Sequence, residues 1–160
     1  MSLLAQESFS KLSRTRIDPM WSGKPNEWIR SLPPARIGII GEDLALSILG
    51  GIKAKNNSVG YDLNSEGRLI EVKLSTVVLM NSGKSPTLCW RQIRPSDPYT
   101  HIFFVAVYPS DARVFLVPRG EIPVENLVYQ HGRGKSIEIF QISTVKLSEL
   151  FPWMVRYEIK

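Results

Sequence analysis

An α/β or α+β sandwich around a central mixed β-sheet flanked by helices is the fold class this sequence predicts, and three observations predict it. A segment with helical spacing follows Pro33-Pro34. An almost unbroken apolar octet, "HIFFVAVY" (101–108), has the pattern of a central strand buried on both faces. Shorter alternating segments, bounded by turn residues, lie before and after it. A chain of 160 residues suits one domain and buries a sizeable core.

The elements follow in order. Residues 1–35 read as an arm or irregular lobe. Pro19, Pro25, Pro33 and Pro34 interrupt regular structure there, and Lys11, Arg14, Arg16, Lys24 and Arg30 make it basic. Trp21 and Trp28 argue for packing or binding rather than complete disorder. Residues 36–160 form the main domain. In "ARIGIIGEDLALSILGG", Ile37, Ile40, Leu44 and Ile48 recur at helical spacing, and Gly50-Gly51 end the helix. "IKAK" (52–55) is a short strand. "VGYDL" (59–63) and "RLIEVKLS" (68–75) flank the turn-rich "NSEG" and read as a hairpin. Residues 77–87 are loop-like, and "LCWRQIR" (88–94) fits a strand end or a short helix. "ARVFLVP" (112–118) pairs with 101–108 across "PSD", "SIEIFQI" (136–142) alternates like a peripheral strand, and "STVKLSELF" (143–151) fits a short capped helix.

Composition narrows the function. The net charge of +5 favours a polyanionic partner without proving one. No apolar run approaches a membrane span, and the N-terminus carries no secretory h-region with a cleavage site, so a cytoplasmic protein is expected. Cys89 is the only cysteine, which leaves no internal disulfide and no cysteine-based zinc site. With His101 and His131 as the only histidines, a histidine-rich metal centre is also disfavoured.

The chemistry concentrates in "RLIEVKLS". Ile70, Val72 and Leu74 take one face of the strand; Glu71, Lys73 and Ser75 take the other. The plain reading of that second face is a solvated sheet surface. The hairpin suggests more. If Leu63 faces Arg68, then Asp62 faces Leu69 and lies diagonal to Glu71 on the same face, about 7–8 Å away at the backbone. Two carboxylates that close repel, and one pKa rises unless a cation joins them. Oxygen ligands suit Mg²⁺, which takes one or two protein carboxylates and keeps several waters. Lys73 reaches the same spot, where an ammonium orients an attacking water and stabilises charge on a phosphate.

"GYDL" followed by "IEVKLS" resembles the motif of the PD-(D/E)XK nuclease superfamily, the restriction-endonuclease-like fold. The resemblance covers roughly residues 36–120. It matches Asp62 to the motif aspartate, Glu71 to the acidic residue and Lys73 to the lysine; Tyr61 stands where the motif name has proline. It implies a restriction-endonuclease-like core and a Mg²⁺-dependent DNA endonuclease, with Mn²⁺ able to substitute. Asp62 and Glu71 would bind the metal, helped by Glu42 of "IGEDLAL" and the Val72 carbonyl. Gln92 corresponds to a glutamine that enters the site in several subfamilies. A stand-alone chain of this size looks most like a type II restriction-type enzyme acting on double-stranded DNA as a homodimer, with the arm of residues 1–35 suited to DNA contact or dimerisation. The alternatives are a junction-resolving nuclease of the same fold, a non-catalytic nucleic-acid-binding accessory protein with this fold, or an RNA substrate.

Other residues fit nucleic-acid contact. Arg91 and Arg94 flank Gln92 and are placed to grip phosphate or read guanine edges. Ser75 is a candidate substrate contact. "GRGKS" (132–136) lacks the first glycine of a nucleotide-binding loop, because Tyr129 stands there. Arg133 and Lys135 instead suit a flexible basic loop against DNA phosphates, or a solvated turn.

Overall fold

Pro34 opens the long helix, where a missing N–H costs nothing and a fixed φ helps. This helix, α1 (Pro34–Leu49), ends at Gly50, whose N–H bonds back to Leu46 O in a left-handed conformation, φ +66°. The computed structural model describes residues 18–55, 59–79, 86–129, 140–143 and 150–160. The expected apolar stripe of α1 is rotated. Its closest approach to the sheet is made by the buried Gly41 and Ala45, with Ile37, Leu44 and Leu49 packed beside them, while Ile48 is exposed. Small residues bring the helix close, and the row at four-residue spacing that contains them becomes the buried one.

Five strands form the central sheet in the order β1-β2-β3-β7-β8. They are β1 (Ile52–Lys53), β2 (Leu63–Ser65), β3 (Arg68–Thr76), β7 (His101–Val107) and β8 (Ala112–Pro118). Only β3 and β7 run parallel, so the sheet is mixed and the protein is α+β. Between them the chain forms β4 (Val78–Leu79) and β5 (Pro86–Thr87), a small antiparallel pair where sequence suggested only loop, and β6 (Cys89–Ile93). The open choice for "LCWRQIR" is thus settled as strand. β6 joins β10 (Phe140–Ser143) and β9 (Val128–Tyr129) in a second sheet. Residues 136–139 of the expected peripheral strand lie outside the described residues, as do 144–149 of the expected C-terminal helix. Ser143 closes β10 instead, and the described helix there is α2 (Pro152–Val155).

These elements stack in three layers. Gly41 of α1 lies against Val72 and Leu74 on one face of β3. On the other face, Ser75 bonds to β6 and Phe104 meets Trp90 edge-on, with ring centroids 5.4 Å apart. β7 is central, and Ile102–Val107 are buried throughout, as the continuous apolar run required. Residues 18–35 contribute to the same core. Trp21 and Ile29 are buried, the Trp21 indole N–H donates to Val77 O at 3.1 Å, and Asn26 ties the segment to Tyr108 and Asp111. Residues 1–17 lie outside the described residues. Among the described residues no helix is long and apolar enough to cross a membrane.

Candidate active site

The β2–β3 hairpin sets the site. Its register pairs Leu63 with Ile70, Asn64 with Leu69 and Ser65 with Arg68. That is two residues away from the expected Leu63–Arg68 pairing. The turn is the pair Glu66-Gly67, both at positive φ, rather than the four-residue "NSEG". A two-residue slip preserves which face each side chain takes. Asp62 lies just beyond the last pair, Leu63–Ile70, rather than across from Leu69, and it still lines one cleft with Glu71, close enough for its charge to act on that carboxyl.

Asp62 is fixed by its backbone and its carboxylate. Its N–H donates to Ile70 O at 2.9 Å and its carbonyl accepts from Ala54 N–H at 2.8 Å. Its Oδ2 accepts the Val72 N–H at 2.7 Å. The N–H and C=O of a strand residue point to the same edge, so the Val72 carbonyl also faces the Asp62 side. Lys73 Nζ donates to Glu71 Oε1 at 2.5 Å, and both side chains are only 14% exposed. Burial raises the Asp62 carboxyl above its usual range, opposed by the Val72 amide and by Lys73. Burial also raises Glu71; Lys73 opposes the rise and Asp62 adds to it. The site thus holds carboxylate charge that its own surroundings leave under-compensated.

β2 stops pairing with β3 at Ile70, so the outer edge of β3 is left without a strand partner from Glu71 onward among the described residues. A cleft of about 290 Å³ opens along that edge and draws residues from both faces of the sheet. Glu42 of α1, Gln92, Arg94 and Asp97 line it beside Asp62, Glu71 and Lys73. Glu42 has a cation of its own: Lys53 Nζ lies 3.4 Å from Glu42 Oε2 and 2.7 Å from Asp43 Oδ1. No three His, Cys, Asp or Glu side chains converge tightly enough to hold a metal by themselves among the described residues. The donors that do face one another are Asp62, Glu71 and the Val72 carbonyl. A Mg²⁺ ion that keeps several waters needs no more than these from the protein.

The other expected residues are placed as follows. Gln92 sits in the cleft wall at φ +59°. The β6–β10 pairing shifts between Phe140–Ile93 and Ile142–Trp90, so Arg91 and Gln92 together oppose one residue and form a bulge. Arg91 is exposed and lines an adjoining groove of about 370 Å³. Arg94 faces the acidic cleft, and its Nε is shielded from water with no acceptor. Ser75 lines the same groove as Arg91, is 6% exposed, and its Oγ accepts the Cys89 N–H at 2.8 Å, joining β3 to β6. Arg133 and Lys135 lie outside the described residues.

Sequence reasoning missed Asp97. It enters the cleft from the loop before β7, and its charge adds to the rise of Glu71. Gly60 makes this placement possible. A Cβ there would lie 2.6 Å from Pro98 Cδ and 3.1 Å from Asp97 Cβ, and its φ is +74°. Arg119 secures the same loop, donating to the carbonyls of Pro95 and Asp97 and covering the Tyr99 ring. The only local hint was the turn-rich "RPSDP". No family model matches the chain, and no curated protein matches it in sequence.

Proposed function

We propose that this protein is a metal-dependent DNA endonuclease of the PD-(D/E)XK type with a restriction-endonuclease-like core. One observation carries the reading: Asp62, held by the Val72 N–H, and Glu71, bonded by Lys73, line one open cleft at the end of the hairpin. Bound there, Mg²⁺ or Mn²⁺ would supply Lewis-acid activation of the phosphodiester and of water. Asp62, Glu71 and the Val72 carbonyl would hold it, with Glu42 available once Lys53 yields. Lys73 orients the attacking water through its remaining N–H groups. A bond forms between phosphorus and the water oxygen as the bond to the leaving sugar oxygen breaks. Water loses a proton and the leaving oxygen gains one.

A restriction-type enzyme working as a homodimer on duplex DNA is the preferred form, and a junction-resolving nuclease is the variant of it. A non-catalytic nucleic-acid-binding accessory protein is favoured by one fact: Glu71 and Glu42 each already face a lysine. The test is cleavage of plasmid, linear duplex and four-way-junction DNA with Mg²⁺ or Mn²⁺, comparing wild type with Lys73→Ala and Asp62→Ala. Discrete plasmid fragments, lost in both variants, support the restriction-type enzyme; cutting at the junction alone supports the resolvase. Absence of cutting on every substrate, with DNA binding unchanged in the variants, overturns the enzyme reading.

A further inference from the structure

Arg94 is chemically conspicuous in the cleft. Its Nε is the one buried side-chain nitrogen or oxygen without a hydrogen-bond partner among the described residues. A guanidinium stays charged and offers five donors in a rigid fork, so a donor shielded from water and left unmatched is costly unless an acceptor arrives. Arg94 lines the same cleft as Asp62, Glu71 and Lys73. Asp97 lines that space too, and no ion pair joins it to Arg94. Lys73 has one donor committed to Glu71 and Lys53 is held by Asp43 and Glu42. Among the described residues, Arg94 is therefore the cation of the cleft with no anion of its own.

The backbone holds that donor in place. A bulge at Arg91 and Gln92, with Gln92 in the left-handed region, lies just before Arg94 at the end of β6. On its far side the loop is anchored by Asp97 N–H bonding to Arg94 O at 3.1 Å and by Arg119 on Pro95 and Asp97. A side chain held between a bulge and a tethered loop is pre-organised, which is what a transition-state contact needs.

We infer that Arg94, lining the same cleft as Asp62 and Glu71, grips the non-bridging oxygens of the phosphate being cut. The inference rests on the nuclease reading and gives it a second cationic contact that is not tied to a protein carboxylate. Negative charge that builds on the phosphate during attack would meet a fork already oriented, while the carboxylate side holds the metal.

The experiment compares wild type, Arg94→Ala and Arg94→Lys. Cleavage of a duplex oligonucleotide is followed with Mg²⁺, and binding of the same duplex by fluorescence anisotropy with Ca²⁺ over a salt series. Thermal melts with and without Mn²⁺ check folding and metal uptake. Arg94→Ala is expected to lose about a hundredfold in kcat with a smaller change in KM. Arg94→Lys should recover only part of that, because a point charge does not replace the fork. The salt slope of binding should fall by about one in Arg94→Ala, while the Mn²⁺-induced rise in melting temperature stays as in wild type. Added guanidinium at millimolar concentration should restore part of the Arg94→Ala rate. Cleavage and salt slope within about threefold and 0.3 of wild type would overturn the assignment and leave the nuclease reading intact. If wild type cuts nothing, the slope alone decides: reduced in Arg94→Ala, it keeps Arg94 as a phosphate contact while the nuclease reading falls; unchanged, both fall. Should Arg94→Ala melt below the assay temperature, Arg94→Lys carries the same comparison.

Discussion

Two glycines in one helix should respond oppositely to the same methyl group. Gly38 and Gly41 both lie inside α1, where replacing glycine with alanine gains about 1 kcal/mol from backbone entropy alone. At Gly38 a new Cβ meets nothing within 4 Å, so Gly38→Ala should show that gain in full. At Gly41 the Cβ would sit 3.2 Å from Val72 Cγ1 and 3.3 Å from Leu74 Cβ. Carbon pairs prefer about 3.5–4.0 Å, so α1 must back away from β3 by a few tenths of an ångström. Overpacking of this kind costs about 1–3 kcal/mol, which cancels or exceeds the helical gain. Gly41→Ala should thus fall about 1–3 kcal/mol below Gly38→Ala, roughly 2–10 °C in melting temperature for a chain of this size. Urea and thermal melts of the two variants and wild type measure the gap. A Gly41→Ala protein as stable as Gly38→Ala would refute the close packing of α1 on β3. Activity gives a second reading, because Gly38 borders the cleft: Gly38→Leu should remain folded yet obstruct substrate.

Two further outcomes follow from the charges. Asp62→Asn keeps an oxygen for the Val72 N–H and removes a buried carboxylate whose pKa is raised. A raised folded-state pKa means that stability is greatest below the ordinary value of 3.8 and declines as pH rises through the window above it. In metal-free buffer at pH 7 the variant should be more stable by about 0.5–2 kcal/mol, converging with wild type in acid, and Mg²⁺ should raise the melting temperature of wild type only. A variant less stable than wild type without metal would count against the strained carboxylate pair. At the other end of the molecule, Arg113 Nε and Nη2 each reach a Glu158 oxygen at 2.6 Å and hold that carboxyl below its usual range. A depressed pKa stabilises above the ordinary 4.5 and is lost as pH falls through the lower folded value. Glu158→Gln should cost about 0.5–1 kcal/mol at pH 7, since both partners are partly exposed, and nothing at pH 2; equal melts at pH 7 would dismiss the pair as a stabilising contact.

Local pattern made much of the fold readable. The helix bounds came from Pro34 and Gly50, and the central strand from an apolar run that allows little else. The hairpin was readable in existence but not in register. Its turn places Glu66 at φ +52°, a conformation glutamate rarely favours, so the sequence pointed to a longer turn. Asp62 still shares the cleft with Glu71 because its carboxylate is held past the last pair by the Val72 N–H. Arg94 and Asp97 belong to another kind of information. Their place depends on Gly60 touching Pro98, on Arg119 reaching back to Pro95, and on a bulge against β10. None of these contacts leaves a periodic trace. The rotation of α1 was partly legible: Gly38 and Gly41 inside a helix suggest close packing or close approach of a ligand, but a stripe drawn through large apolar residues does not show that the Gly41 face is the one that packs.

The parallel pairing of β3 with β7 has a consequence for how the molecule comes together. The two acidic side chains sit nine positions apart on one hairpin that closes through a two-residue turn, a contact of low loop-closure entropy. The cationic wall belongs to the stretch that must be threaded across before β7 can align with β3, a slower, longer-range event. Contact order therefore favours the carboxylate hairpin closing before the arginine-bearing stretch, which is positioned only with the crossover.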